Sequence, residues 1–330
     1  MEKIAISRAA VGNEVTLAHA SESFQLRCQA RNLSPLTCDW YKRRLKRFWR
    51  FLEAHGVTLG REITPHLIRL YLDKMRSENL SSGLIARDYG AFKCFFRFLT
   101  QERLIPQNPI QLVEKPRMEQ KLVRPLSMEQ VRLLLAKANQ KRFFGQRVWT
   151  MAVLILDTGL RRAEVIGLKK DDIDFNKGVL RVMGKGGKER EVPFGATSKQ
   201  ALWNYLMRRG ELPGQELLFV NQFGDKICPR WMNKAIRMLG ERAGIKGLRV
   251  SPHTLRHTFA TQYILNGGDA FSLQQILGHS TLEMTRRYVN FARQDVAAQH
   301  RKFSPMERLM GKPVEAISPM HFESVLEGAR

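Results

Sequence analysis

Prolines break the chain between residues 106 and 125: Pro106, Asn108-Pro109, Lys115-Pro116 and Arg124-Pro125. A proline removes a backbone donor and drives the residue before it out of the helical region, so no helix or central strand can run through this stretch. On both sides the apolar residues recur at helical spacing. Two separately folded units joined by a linker over 106–124 are therefore expected, and a length of 330 residues fits two domains. The linker's Lys115, Arg117, Lys121 and Arg124 suit a tether lying along a polyanion, as they would suit any solvated linker.

Before the break, Leu36, Trp40, Leu45, Phe48, Phe51 and Leu52 form an apolar stripe after the opener Ser34-Pro35. Thr64-Pro65 starts a second helix with Leu67, Ile68, Tyr71, Leu72 and Met75 on one side. Ser81-Ser82 starts another, through Tyr89, Phe92, Phe95, Phe96 and Leu99, aromatics spaced as a buried face. The expectation is a helical domain over 15–105, preceded by a weakly patterned arm at 1–14.

After the break, Ser127-Met128-Glu129-Gln130 reads as a capping box opening a helix, and Val148–Leu156 as a further helix ending near Gly159. Residues 179–183 and 189–193 are strand-like, and Gly184-Lys185-Gly186-Gly187 between them signals a hairpin. From about 198 to 300 the spacing is helical again. The fold class is mainly α (α+β): a helical domain and a mostly helical second domain with a small antiparallel sheet.

Charge narrows the function. There are 55 Lys+Arg against 31 Asp+Glu, a formal net charge of +24. A chain this basic points to a polyanionic partner, most often nucleic acid. Lys42, Arg43, Arg44, Lys46, Arg47 and Arg50 place six cations within nine residues with no acid expected to offset them, a candidate phosphate-contacting face. The four cysteines, Cys28, Cys38, Cys94 and Cys228, form no Cys-x-x-Cys pair and no disulfide framework. No apolar run is long enough to span a membrane, and Met1-Glu2-Lys3-Ile4-Ala5 does not open a signal peptide. A cytoplasmic protein without a membrane partner is expected.

Four local patterns in the second domain carry chemistry. Thr158-Gly159-Leu160-Arg161 presents an arginine at a turn, where its fork can hold a phosphate, with Glu164 three residues on. Lys185 sits at the hairpin tip between glycines, but the run lacks the spacing of a nucleotide phosphate loop, which argues against ATP or GTP. In His253-Thr254-Leu255-Arg256-His257, His253 and Arg256 share a helix face. A zinc site there lacks both the metalloprotease glutamate and a third ligand. Finally, Gly278-His279-Ser280 precedes Tyr288. One straight helix would hold His279 and Tyr288 about 13 Å apart, so a break must re-aim them if they are to share a phosphate. Arginines for non-bridging oxygens, histidines and a lysine for protons, and a tyrosine nucleophile make a phosphoryl-transfer set. No carboxylate cluster suits a two-metal nuclease.

In this order, Thr158-Gly159-Leu160-Arg161, Gly184-Lys185-Gly186, His253-x-x-Arg256-His257, Leu277-Gly278-His279 and Tyr288 resemble the tyrosine recombinase (phage integrase) family, in the style of its Xer-like branch. Over 15–105 the helical run is similar to the family's SAM-like core-binding domain, and 125–293 to its catalytic domain. The resemblance implies that Tyr288 is the nucleophile, giving a 3′-phosphotyrosyl bond and a free 5′-hydroxyl. Arg161 and Arg256 would clamp the phosphate, His253 and His279 would support charge and proton transfer, and Lys185 would be the general acid. Glu164 would hold the site together, and His257 would be structural. It further implies a clamp on duplex DNA with a specific core site, no metal or other cofactor, and a homo-oligomer: a dimer on one site and a tetramer in synapsis. Residues 294–330 would form a tail exchanged between protomers. The short arm at 1–14 points to a two-domain recombinase without the extra amino-terminal module of lambda-like integrases. A type IB topoisomerase-like enzyme and a non-catalytic DNA-binding regulator are the competing readings.

Overall fold

The computed structural model describes residues 15–118, 124–184, 187–292, 300 and 304–310. The chain divides into two compact units, Met1–Lys121 and Leu122–Arg330. The arm at 1–14, Lys185, and most of the tail lie outside the described residues.

Among the described residues, four α-helices build the first unit: α1 (Leu17–Ala30), α2 (Pro35–Glu53), α3 (Pro65–Ser77) and α4 (Ser82–Gln101). The openers act as caps: the hydroxyls of Ser34 and Thr64 accept from the N–H groups of Thr37 and Leu67, and a proline follows each. Phe48, Phe92, Phe95 and Phe96 are fully buried at the centre, with the Phe48 and Phe92 rings 4.5 Å apart. Two expectations need correction. Leu36 is 79% exposed, because the stripe of α2 meets its neighbours only from its second turn onward. The stretch read as linker also begins too early. Pro109–Leu112 forms a 3₁₀ turn, Ile110 and Val113 enter the core, and Tyr89 donates to the Val113 carbonyl at 2.8 Å. The prolines stop helix propagation, but the segment packs all the same.

In the second unit, the Ser127 capping box opens α5 (Met128–Ala136) as expected. The buried helix α6 (Phe143–Thr158) packs against α8 (Ala196–Arg209) and α10 (Pro252–Leu265). Between α6 and α8 come the short α7 (Arg162–Gly167) and a three-stranded antiparallel sheet, β1 (Ile173–Asp174), β2 (Val179–Met183) and β3 (Glu189–Pro193), in sequential order. The hairpin has the expected strands, with Val179 opposite Pro193 and Met183 opposite Glu189. Residues 210–228 depart from the expected helical spacing. They are non-helical and place Leu218, Phe219 and Val220 in the core through bends and isolated bridges. The chain continues through α9 (Pro229–Arg242), α10, α11 (Ala270–Leu277), α12 (Glu283–Ala292) and α13 (Pro305–Met310). No helix among the described residues is long and apolar enough to cross a membrane.

Candidate active site

The second unit holds an open groove of about 880 Å³. Arg161, His253, Arg256, His279 and Tyr288 all line it, brought together from the start of α7, from α10, from the turn after α11, and from α12. The local sequence explains each placement. Gly159 ends α6 in the left-handed region at φ 63°. A Cβ there would meet the Phe259 ring at 2.4 Å and the Leu277 side chain at 2.6 Å, so only glycine lets this corner turn and close against α10 and α11. The corner delivers Arg161 as the cap residue of α7. Ser251 caps α10, whose periodicity buries Arg256 and leaves His253 exposed at the groove. Gly278 ends α11 at φ 61°, and a new helix begins at Glu283, which supplies the break that His279 and Tyr288 require.

Arg256 is 5% exposed and donates to the carbonyls of Gly159 and Leu277, the latter at 2.9 Å. Its Nη2 also lies 3.2 Å from His279 Nε2. A guanidinium only donates, so Nε2 accepts and the ring proton sits on Nδ1, which donates to Thr285 Oγ1 at 3.0 Å. Arg256 thereby fixes the tautomer of His279, and Thr285 helps to hold the plane of its ring. Burial, and after it the nearby charge of Arg161, pushes Arg256 down to about 10. It stays cationic at neutral pH, in a site that would favour an anion.

Glu164 is almost fully buried and accepts four hydrogen bonds: from the Arg161 N–H at 2.7 Å, Arg161 Nη1 at 2.9 Å, and Arg190 Nη1 and Nη2 at 3.0 Å each. Burial alone would raise its pKa, but the Arg190 and Arg161 donors outweigh it and hold the carboxyl below its ordinary value. Tyr288 is 2% exposed and packs with Ala260, Ile264, Leu273 and Leu277, its ring centre 5.1 Å from His257 and 6.3 Å from His279. Its place as a core aromatic and its place on the groove are compatible. His257 belongs to this packing and does not line the groove. Among the described residues no group of three or more His, Cys, Asp or Glu side chains could hold a metal ion.

Sequence reasoning missed two features. Arg230, Lys234 and Arg237 lie at i, i+4 and i+7 of α9 and line the groove with Arg162 and Arg249, while Met232, Ala235, Ile236 and Leu239 bury the opposite face. That amphipathic spacing was available in the sequence. The other is Arg190. It shares a strand face with the buried Val192, and a strand's period of two places it inward.

The cations of α2 lie in the other unit, and the expectation that no acid offsets them needs correction. Asp88, fully buried on α4, pairs with Arg44 and Arg47, and Asp39 pairs with Arg43 at 2.6 Å. Lys42, Lys46 and Arg50 are exposed.

Residues 124–295 match the phage integrase family, and residues 24–103 match the phage integrase N-terminal SAM-like domain. The chain is 35% identical over 281 residues to the tyrosine recombinase XerC of Pelobacter propionicus, covering 84% of this chain and 92% of that protein. With the XerC of Anoxybacillus flavithermus it shares 33% over 266 residues, covering 79% and 88%. In structure it is similar to the Tn1549 transposon integrase in complex with transposon right end DNA, with a TM-score of 0.70 at 23% identity, covering 88% of this chain and 100% of that one. The chain therefore belongs to the phage integrase family, the tyrosine recombinases, which carry out site-specific DNA recombination.

Proposed function

We propose that this recombinase cuts and rejoins duplex DNA through a 3′-phosphotyrosyl intermediate. The observation that carries the reading is the convergence of two arginines, two histidines and a tyrosine from four elements on one cationic groove. Tyr288 attacks the scissile phosphorus, forming a tyrosyl P–O bond as the bond to the 5′-oxygen breaks. Arg161 and Arg256 neutralise the non-bridging oxygens where charge accumulates. His253, open to solvent, takes part in moving the tyrosine proton, and His279, held by Thr285, supports the charge beside Arg256. Lys185 returns a proton to the leaving 5′-oxygen, giving a free hydroxyl. One phosphoester replaces another, so the chemistry is reversible and draws on no nucleotide. The next strand's 5′-hydroxyl reverses the step on a new partner.

The partner is duplex DNA with a core site, contacted by Arg230, Lys234 and Arg237 of α9 in one unit and by Lys42, Lys46 and Arg50 in the other. Arg43, Arg44 and Arg47 add cationic charge to the latter face. Function in the cytoplasm as a dimer on one site and a tetramer in synapsis follows the same reading. The tail at 294–330 couples protomers, and its deletion should abolish synapsis; intact tetramers without it would end that part. The main test incubates the protein with nicked duplexes from mobile-element junctions and isolates denaturant-stable adducts. Adducts at a defined sequence are expected. Tight duplex binding with no adduct at any junction, or relaxation of supercoiled DNA without paired sites, would count against recombination chemistry.

A further inference from the structure

The last turn of α11 is held by three arginines, one per carbonyl. Arg190 Nε donates to Ile276 O at 3.0 Å, Arg256 Nη2 to Leu277 O at 2.9 Å, and Arg161 Nη2 to Gly278 O at 2.9 Å. A helix leaves its final carbonyls without partners of its own, and cations at that end are favourable. Three consecutive carbonyls taken by arginines from β3, α10 and the α7 corner go well beyond capping. Two of these arginines line the groove, and Arg190 does not. It stands behind them, with Nη1 and Nη2 on the two oxygens of Glu164, the carboxylate that also grips Arg161. A Cβ on Gly278 would lie 3.1 Å from its guanidinium, so the turn that presents His279 rests directly on Arg190.

We propose that Arg190 is a positioning residue for the phosphate clamp: it ties Glu164 to the end of α11, so that Arg161, Arg256 and His279 are fixed relative to one another before DNA arrives. The proposal rests on the cleavage reading above. The role requires an arginine. Its fork reaches both carboxylate oxygens while Nε reaches Ile276, whereas a lysine ammonium is a single point. A clamp loosened by about an ångström loses on the order of 10²-fold in rate.

The test is single-turnover cleavage of a nicked duplex carrying the core site, with rate and DNA half-saturation measured separately. Wild-type adduct formation shows that the cleavage reading stands, and no wild-type adduct would remove it together with this proposal. Arg190→Met should cleave on the order of 10²-fold more slowly while half-saturation moves less than about threefold. Arg190→Lys should fall between, and it carries the test should the methionine variant melt below the assay temperature. Arg190→Met combined with Glu164→Gln should lose little more than the worse single variant, because both act through one carboxylate. A duplex with sulfur as the 5′-bridging atom, whose thiolate leaves without a proton, should show the same deficit. Wild-type rates in both single variants, additive losses in the double variant, or restoration confined to the sulfur substrate would each overturn the proposal. The last would place Arg190 on the leaving-group side.

Discussion

Arginines are used in opposite ways in the two units. In the second, Arg161, Arg190 and Arg256 are tied to backbone carbonyls, the first two also to one buried carboxylate, and none can swing without breaking bonds on two elements. In the first, Arg44 and Arg47 rest on Asp88, Arg43 on an exposed neighbour one turn back, and Lys42, Lys46 and Arg50 face outward from the same helix. The fixed arginines of the second unit suit charge that must sit at one phosphorus, and the outward Lys42, Lys46 and Arg50 of the first suit a charged surface that any phosphate along a duplex can meet. Donors already in place cost no reorganisation at the moment of reaction, whereas counterion release asks only for charge.

Equivalent substitutions in the two units should have very different effects. Arg161→Ala or Arg256→Ala should slow single-turnover cleavage on the order of 10²–10³-fold with modest loss of DNA affinity. Arg43→Ala, its exposed counterpart, should leave the cleavage rate within about twofold, since exposed pairs contribute about 0–1 kcal/mol. Comparable rate losses from both would erase the distinction.

Next in size is Asp88. Replacing it with Ala removes the buried acceptor on which Arg44 and Arg47 rest, and should destabilise the first unit by about 1–3 kcal/mol in urea melts. A neutral outcome would mean that the two arginines are held by Trp40, Tyr71 and solvent alone. Smaller again is the field of α2. Lys42→Gln, Lys46→Gln and Arg50→Gln together should lower the slope of log affinity against log salt by up to about 2.7, roughly 0.9 for each phosphate no longer neutralised. An unchanged slope would remove this face from the DNA interface.

These contrasts also mark what was legible in the sequence. Caps and turns were, because Ser34, Thr64 and Ser127 act within one helical turn, and the hairpin strands because glycine punctuates them. The packing of Ile110 and Val113 was not: prolines announce where a helix stops, and only tertiary contact decides whether the following residues are buried. The two-residue β1 is too short to show a period. At the site, Arg161, His253, Arg256, His279 and Tyr288 were legible as motifs, since each sits at a turn or on one helix face, whereas the α9 cations of the groove were passed over. Glu164's dependence on Arg190, and the pairing of Asp88 across two helices, join positions 26 and 41 or more residues apart, which no local pattern encodes. A lone acid inside the aromatic stripe of α4 was the available signal, because a buried carboxylate needs a partner.

The smallest expected effect is on pH. Glu164 is held below its ordinary pKa, so its contribution to stability is present at neutral pH and is lost as pH falls below about 4.5 and through the folded value. Glu164→Gln should flatten the acid limb of the second unit's stability curve while lowering it at pH 7. An acid limb as steep as wild type would show that the carboxylate is not ionised in the fold.

Covalent attachment of Tyr288 to DNA is the step on which the proposed chemistry turns. Wild-type protein and the Tyr288→Phe variant would be trapped on a nicked core-site duplex, digested, and the nucleotide-bearing peptide sequenced by mass spectrometry. A single modified peptide with the nucleotide on Tyr288 is expected, and duplex binding without adduct in the variant. A nucleotide on any other residue, or an adduct that persists in Tyr288→Phe, would contradict that chemistry.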